Sequence, residues 1–438
     1  MSNENSTPFP RPVRRPSGRP GGRPVWRLAV SACAGAVALL ATALPASASS
    51  HASASAGTIT FGQLLPFTGT KAFLSSWAVH GDAAAVWDVN SHGGVMGEKL
   101  VAKSADDGGD AVDAVPALRK LLIYHPAFIV GPYSLTIMAV VNDFDPNHVV
   151  DFTIGGTTQL DHMKYPYVFR TTASDSAEVV AMAYYAKSRG LMHAAFIFDN
   201  SANTQGLVPP LKTAYKKVGG KVVANVEYVP DQASYLSEIT KAFASHPDVV
   251  FFSADQQSAT ALFTAARELG HLNVPWVGED VVGSPGYAKA MGQPAASKYL
   301  YAVEGGAPTG PAYQHYLADY DHVWHTRNIL SSSYNMYDSV IIAALAMTEA
   351  KSTDPKVWVN DVTKVSNPPG AKCYSYASCV ALIKAGKKIN YEGATGPEDF
   401  NQYHNTFSGF TVDGFTTADQ LVAKHVVTAQ QVASLASS

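Results

Sequence analysis

The sequence has 438 residues, 47% of them hydrophobic and 15% charged, which excludes a disordered chain and suits two domains with separate cores. The formal net charge of −3 is unevenly placed, because residues 1–48 hold six arginines and one acid. Residues 49–438 therefore carry 26 basic and 34 acidic side chains, a formal charge of −8. An acidic body argues against nucleic acid as a partner, since that function requires a basic face.

The N-terminus predicts a secretory signal peptide over residues 1–48. An arginine-rich start precedes an almost wholly apolar run at 28–44, and Ala46-Ser47-Ala48 offers small residues for cleavage. A transmembrane anchor is the alternative, but the run is at the lower edge of a span and weak in Leu and Ile. We expect export to the periplasm or the extracellular space, cleavage after Ala48 and a short tether at 49–57.

The three cysteines fall into two groups. Cys33 ends a segment that resembles a lipoprotein cleavage box, but only five residues separate it from Arg27, so a lipid anchor at the cell surface is the less favoured alternative. Cys373 and Cys379 stand six apart in an exported chain and predict one local disulfide. No further metal ligands stand beside them.

From Thr58 the pattern alternates between strands and helices. The first series predicts helices at 75–90 and 111–124 and strands at 58–65, 100–102, 128–130, 149–154 and 167–170. A second series predicts helices at 176–188, 206–218, 235–244 and 258–269 and strands at 194–198, 221–228, 249–252 and 274–277. The chain is mainly helical from 312, including 334–350, and ends in short strands. This order predicts an α/β protein with two similar lobes and mostly parallel sheets.

Ligands of such sheets bind beyond the carboxyl ends of the strands. Six predicted strands end at loops with polar or small residues, which a cleft between two lobes would gather. These loops are Thr68-Gly69, Tyr133-Ser134, Gly155-Gly156-Thr157, Asp199-Asn200, Asp255-Gln256 and Glu279-Asp280.

One segment resembles a known family. The run from Asn90 to Leu100, with Gly93-Gly94 and Gly97 allowing a sharp turn, is followed by Asp106-Asp107. It resembles the helix-turn-strand segment of type I periplasmic binding proteins, most closely the leucine/isoleucine/valine-binding branch that serves ABC importers. Tyr337-Asp338 and the segment 390–397 are also similar to that family, and the order of elements agrees over about 58–350.

The resemblance implies two Rossmann-like lobes joined by three crossovers that act as a hinge, near Asp175, Gly306 and Gly409. The first lobe would comprise 58–175 plus 307–408, and the second 176–306 plus 409–438. It also implies a monomer without cofactor or metal, which closes on a small molecule and is recognised by a membrane ABC permease.

Pocket residues follow from the same resemblance. In the first lobe the family's ligand serine falls on Leu135, so Ser134 or Thr136 must replace it. The next loop, Gly155-Gly156-Thr157, would offer backbone groups, a hydroxyl and an N–H to a ligand carboxylate. Tyr133 would lie beside the ligand side chain, and Phe73 or Leu74 would line the entrance.

In the second lobe Asp280 aligns with the carboxylate that faces a ligand ammonium. Two family tyrosines are replaced by Asn203 and by Asp255, or by Gln256 with one residue of slip. This half of the pocket is thus more polar, and a plain branched aliphatic amino acid is not the expected ligand.

Simpler interpretations remain open for these residues. Gly155-Gly156-Thr157 could form only a tight turn with a helix cap, Ser134 could cap a helix, and Asp280 could be a solvated loop acid. His315, His322 and His325 could share a helical face, but their spacing favours a solvated face over a metal site.

The sequence favours a non-enzymatic receptor. It contains no Gly-x-Ser-x-Gly, His-Glu-x-x-His or phosphate-binding Gly-x-x-x-x-Gly-Lys motif. The leading hypothesis is a solute-binding protein of an ABC importer that takes an amino acid or a related amide, urea or small carboxylate. An extracellular ligand sensor of the same fold is the alternative. A secreted hydrolase is disfavoured.

Overall fold

The computed structural model describes residues 57–69, 71–306, 310–330, 332–406 and 409–436. The signal peptide with Cys33, and the tether except Gly57, lie outside these ranges. Within the described ranges no helix is both long enough and apolar enough to cross a bilayer.

The first third of the chain builds a five-stranded sheet in the order β2-β1-β3-β4-β5, with every pairing parallel. Strand β1 is buried on both faces, because Leu65 packs into one core and Leu64 into another. The elements are β1 (Thr58–Leu65), α1 (Phe73–Ser91), β2 (Lys99–Asp106), α2 (Ala111–Leu122), β3 (Phe128–Val130), α3 (Ser134–Asn147), β4 (Val150–Thr153) and β5 (Val168–Arg170).

The second third supplies most of a seven-stranded sheet. Phe251 and Phe252 point to opposite faces and join two separate cores. The elements are α4 (Asp175–Ser188), β6 (His193–Asp199), α5 (Ala202–Gln205), α6 (Val208–Lys217), β7 (Lys221–Tyr228), α7 (Leu236–Phe243), β8 (Val249–Ser253), α8 (Gln256–Glu268), β9 (Trp276–Gly278), α9 (Pro285–Met291), α10 (Ala295–Tyr299) and β10 (Leu300–Gly305).

The last third of the chain contributes elements to both sheets. Helix α12 packs into the core of the first sheet, whereas β13 completes the second sheet by pairing antiparallel with β10 and β14. The elements are α11 (Gly310–Trp324), α12 (Ser333–Ala350), α13 (Pro355–Trp358), α14 (Val362–Ser366), β11 (Ala371–Cys373), α15 (Tyr376–Lys384), β12 (Ile389–Tyr391), β13 (Phe410–Phe415), β14 (Leu421–Val427) and α16 (Ala429–Ala436).

The predicted fold class is confirmed: the structure is α/β with two mostly parallel sheets. Helix α3 and strand β10 are additions that the sequence pattern did not predict. Helix α3 forms because Ile137, Val140, Val141 and Phe144 share one face and are fully buried in the core of the first sheet. The lobe boundaries stay a prediction, although the chain passes between the sheets before α4, after β10 and before β13.

The two motifs that carry the family resemblance have structural roles. The Asn90 side chain donates to the carbonyl of Leu100 at 3.1 Å and accepts from its N–H at 2.8 Å, which fixes the turn between α1 and β2. The buried Asp338 accepts bonds from the Tyr391 hydroxyl and from the N–H groups of Ala394 and Thr395 at 2.7–2.9 Å. These side chains hold loops in place.

Cys373 and Cys379 are bonded, with Cα atoms 5.2 Å apart. The bond joins the end of β11 to α15, at the edge of the core that contains α12.

Candidate ligand-binding site

The first half of the site forms where β3 and β4 end side by side. Because these strands are parallel neighbours, the loops that follow them meet at one edge of the sheet. The N–H of Thr157, in the loop after β4, donates to the Ser134 hydroxyl at the start of α3 over 3.1 Å. Thr153 stiffens the same corner, since its hydroxyl donates to the carbonyl of Pro132 and accepts from the N–H of Gly155.

A buried arginine sets the orientation of this loop. Arg170 is 2% exposed, and its guanidinium donates to the carbonyls of Gly156 and Thr157 at 3.1 Å and to Asp161 at 2.7 Å. The C=O and N–H of a trans peptide point in opposite directions. The Gly156 carbonyl faces Arg170, so the N–H of Thr157 is turned away from it, toward Ser134.

The second half of the site is strongly acidic. Glu279 and Asp280 follow β9, and the N–H of Asp280 donates to Glu178 of α4 at 2.8 Å. Asp175, at the start of α4, is electrostatically coupled to the other three. We call Asp175, Glu178, Glu279 and Asp280 the acidic cluster.

Burial and mutual repulsion shape the charges of the acidic cluster. Burial raises the pKa of Asp280 to about 6, although the N–H of Val281 and the ammonium of Lys71 oppose the shift. Burial and then the charge of Asp280 raise the pKa of Asp175 to about 7. The pKa values of Glu178 and Glu279 rise well above their usual range for the same first reason. These carboxyls favour the arrival of a positive charge.

One atom of the acidic cluster has an unmet hydrogen-bonding capacity. Oε1 of Glu279 is buried and has no hydrogen-bond partner among the described residues. A buried acceptor without a donor costs about 1–3 kcal/mol, and more when it is charged. A ligand N–H group would supply that donor.

Two close approaches and one electrostatic interaction connect the two halves. Gly156 lies against the carboxylate of Asp175, which occupies the space that a Cβ would need. Tyr133 is near enough to Asp280 for that carboxylate to raise its pKa, after burial as the larger cause. A Cβ on Gly206, after α5, would lie 3.0 Å from the Thr158 hydroxyl and 3.1 Å from the carbonyl of Asn203.

The structure therefore gathers most of the residues predicted from the sequence. Tyr133 donates its hydroxyl to the carbonyl of Leu74 at 2.8 Å, which ties the loop after β3 to the start of α1. Phe73, beside Leu74, is 38% exposed and packs edge-on against Trp77. Asn203 lies near Thr158 through the Gly206 contact. The ligand contacts of these residues stay predictions.

Two predicted residues have local partners. The Thr136 hydroxyl is buried and donates to Asp107 at 2.9 Å, whereas the Ser134 hydroxyl bonds to Thr157, which makes Ser134 the better candidate. Asp255 caps α8, because its carboxylate accepts from the N–H groups of Gln257 and Ser258 and from the Ser258 hydroxyl at 2.8–3.0 Å. Thr157 is also a cap, of the short 3₁₀ turn Thr158–Leu160.

Sequence reasoning missed several contributors to the site. Arg170 was assigned only to a strand end, Asp175 only to a crossover, and Glu178 only to a helix. Glu279 was named only as part of the loop Glu279-Asp280 at the end of a predicted strand. The other three offer no such signal, because only the fold brings them together.

A family model described as "Periplasmic binding protein" matches residues 58–412. The chain belongs to this family. The match confirms the family predicted from the glycine-rich turn. Proteins of this family bind small-molecule ligands, work with membrane permeases and are periplasmic or extracellular.

Similar proteins agree with the family assignment. The "Leu/Ile/Val-binding protein homolog 3" of Brucella melitensis is 27% identical over 326 residues, covering 73% of this periplasmic binding protein and 87% of the relative. The Leu/Ile/Val-binding protein BraC3 of Rhizobium johnstonii is 28% identical over 258 residues, covering 58% and 69%.

Solved structures support the fold. The substrate-binding protein LivJ of Streptococcus pneumoniae, in complex with isoleucine, superposes with a TM-score of 0.70 at 20% identity, covering 85% of this chain and 99% of that one. A solute-binding protein of R. palustris, in complex with benzoate, gives 0.67 at 17% identity, covering 85% and 97%. Because one of these similar structures holds isoleucine and the other benzoate, the fold alone does not identify a ligand.

Proposed function

We propose that this periplasmic binding protein is the exported receptor of an ABC importer and closes its two lobes around an amino acid or a small relative with a free ammonium group. The observation that carries the proposal is that the acidic cluster and the loop after β4 lie side by side, at the contact of Asp175 with Gly156. Such a pair of surfaces matches a zwitterion, with its carboxylate on one side and its ammonium on the other.

The carboxylate end of the ligand would bind to the loops after β3 and β4. Support comes from the Ser134 hydroxyl, which accepts from the N–H of Thr157 and so can turn its own proton toward a ligand oxygen, and from the N-terminus of α3, which begins at Ser134. Hydroxyl and backbone donors together with a helix N-terminus favour an anion. Of the predicted contacts, Gly155 and Gly156 would contribute through their backbones.

The ammonium end would bind to Asp280 and Glu279. Asp280 supplies a carboxylate whose pKa is raised by burial, and Glu279 supplies a buried oxygen without a partner. A cation would relieve the repulsion within the acidic cluster, whereas a ligand without one would leave it in place. Asn203 makes the remaining wall polar, so we expect a ligand side chain more polar than that of leucine.

The other parts of the proposal concern lobes and partners. We propose the lobe boundaries given by the crossovers near Asp175, Gly306 and Gly409, with hinge closure on ligand binding as a monomer and recognition of the closed form by a permease. The chain would bind its ligand without chemical conversion. No observation on the described residues favours the sensor alternative over transport.

Calorimetric titration of the tag-free protein lacking residues 1–48 tests this function. The panel comprises zwitterionic amino acids, amines, amides, urea and carboxylates without nitrogen, each repeated with Asp280→Asn. The proposal expects binding by a compound with an ammonium group and loss of that binding in the variant. The matched control is Asp231→Asn, an exposed acid of the second predicted lobe. Tight binding of a nitrogen-free carboxylate instead would contradict the proposal.

A further inference from the structure

A second cluster of ionisable side chains lies far from the cleft. It consists of Asp88 on α1, His315 and Asp319 on α11, and the hydroxyl of Tyr337 on α12, and we call it the Asp–His cluster. Helix α1 starts beside Tyr133, and Asp88 lies 14 residues beyond Leu74. At about 1.5 Å per residue, the Asp–His cluster is roughly 20 Å along the helix from the ligand site.

Its three ligand-type side chains converge. Nε2 of His315 lies 3.4 Å from Oδ2 of Asp88 and 3.4 Å from Oδ2 of Asp319, and the ligand atoms all lie within 4.8 Å of one another. Asp88 is fully buried and Asp319 is 3% exposed. The His315 side chain is 32% exposed, whereas its Nε2 atom is buried against the two carboxylates.

The distances suit a shared ion better than direct hydrogen bonds. A charge-assisted N–H···O bond is about 2.7–2.9 Å long, and Nε2 of His315 has no hydrogen-bond partner among the described residues. Two ligands held about 2.1 Å from one ion at the tetrahedral angle are about 3.4 Å apart. Both measured N···O separations have that length.

The neutral hydrogen-bond donors around the cluster, which include the N–H of Tyr376 at 3.3 Å from Oδ2 of Asp88, bring no full positive charge to it, so compensation is left to the nearby imidazoles or to an ion. The Tyr337 hydroxyl lies 2.6 Å from Oδ2 of Asp319 and 3.0 Å from Oδ2 of Asp88, but its one proton can serve only one of them. Nδ1 of His92 is 2.8 Å from Oδ1 of Asp88, yet its bond goes to the backbone carbonyl of that residue, and Oδ1 has no hydrogen-bond partner. Adjacent buried carboxylates require a cation to offset their desolvation.

We infer that Asp88, His315 and Asp319 bind one divalent transition-metal ion, with Zn²⁺ the best fit, and that the ion fastens α11 to α1. One imidazole nitrogen and two carboxylate oxygens form a donor set of intermediate softness. Such a set suits Zn²⁺, whereas Mg²⁺ and Ca²⁺ prefer oxygen ligands alone. Tyr337 would orient the carboxylates from behind, and water would complete the coordination. Helix α11 is the first helix after the crossover that follows β10. The ion would therefore hold that helix against α1.

The experiment uses tag-free protein lacking residues 1–48, stripped with EDTA, dialysed, and titrated with Zn²⁺, Mn²⁺ and Mg²⁺. Isothermal titration and elemental analysis should give one Zn²⁺ per chain, with a higher melting temperature and no comparable effect of Mg²⁺. His315→Gln should weaken Zn²⁺ binding more than tenfold, and Tyr337→Phe by about 10–100-fold.

His322→Gln is the matched control, because His322 lies on the same helix but packs on Trp87 instead of the cluster. It should bind Zn²⁺ like the wild type. Melting in EDTA establishes that each variant folds. Absence of Zn²⁺ binding by the wild type would overturn the inference and leave a protonated His315 as the partner of the two carboxylates. Equal Zn²⁺ binding by His315→Gln would also overturn it, because the ion would then bind elsewhere.

Discussion

Gly156 and the carboxylate of Asp175 share one space: a Cβ at position 156 would overlap Oδ1 of Asp175. The contact joins the loop after β4 to the start of α4, where the chain passes from the first sheet to the second. The N–H of Asp175 also donates to the carbonyl of Gly156 at 2.8 Å. The loop proposed to bind the ligand carboxylate is thus in direct contact with the acidic cluster.

Gly156→Ala should disturb both halves of the site. The added methyl must displace either the Asp175 carboxylate or the Thr157 loop, and overpacking of this kind costs about 1–3 kcal/mol. We expect a lower midpoint of urea unfolding and weaker ligand binding. Gly305→Ala is the control, since its Cβ would meet no atom closer than 3.7 Å. Equal stability and affinity in both variants would show that the contact is unimportant.

Arg170→Gln should weaken ligand binding without removing a ligand contact. The substitution leaves Asp161 without its cationic partner, although the hydroxyls of Ser174 and Ser176 still donate to it, and it releases two loop carbonyls. Breaking a buried ion pair costs about 3–5 kcal/mol. Arg327→Gln breaks a pair whose arginine is 66% exposed and should cost about 1 kcal/mol or less. Chemical unfolding and calorimetry measure both effects, and similar losses in the two variants would exclude the assigned role of Arg170.

The acidic cluster predicts a pH dependence of the ligand-free protein. Asp280 and Asp175 have pKa values raised to about 6 and about 7, so the folded state holds these protons more tightly than the unfolded chain. Their contribution to stability is full below about pH 4, where the unfolded groups titrate, and is lost as the pH rises through 6 to 7. Unfolding midpoints between pH 4 and 8 should fall less in Asp280→Asn than in the wild type. Identical slopes would contradict the raised pKa of Asp280.

Ligand binding should show the opposite pH dependence. An ammonium group needs ionised carboxylates, so affinity should fall as the pH drops from 8 to 5 and the acidic cluster takes up protons. Calorimetry at several pH values with a ligand from the panel measures this. An affinity that rises at low pH would mean that the cluster does not face a cation.

The sequence predicted the alternation of strands and helices because period-two and helical patterns are local properties. Helix α3 was missed although Ile137 and Val141 lie on one face. Pro132 precedes it and Pro146 lies inside its C-terminal end, and packing in the core overrides both. The acidic cluster was only half visible, since Glu178 and Asp280 are 102 residues apart and meet through tertiary folding. The Asp–His cluster was hidden for the same reason, because Asp88 and His315 lie on different helices.

The most direct test of the ligand assignment is to compare the tightest-binding amino acid with its 2-hydroxy acid by calorimetry. The two compounds differ only where the ammonium would face Asp280. The wild type should bind the amino acid about thirtyfold more tightly or better, as expected when a buried charge loses its partner at about 2–5 kcal/mol, and Asp280→Asn should lose most of this preference. Equal affinities for the two compounds in the wild type would contradict the account.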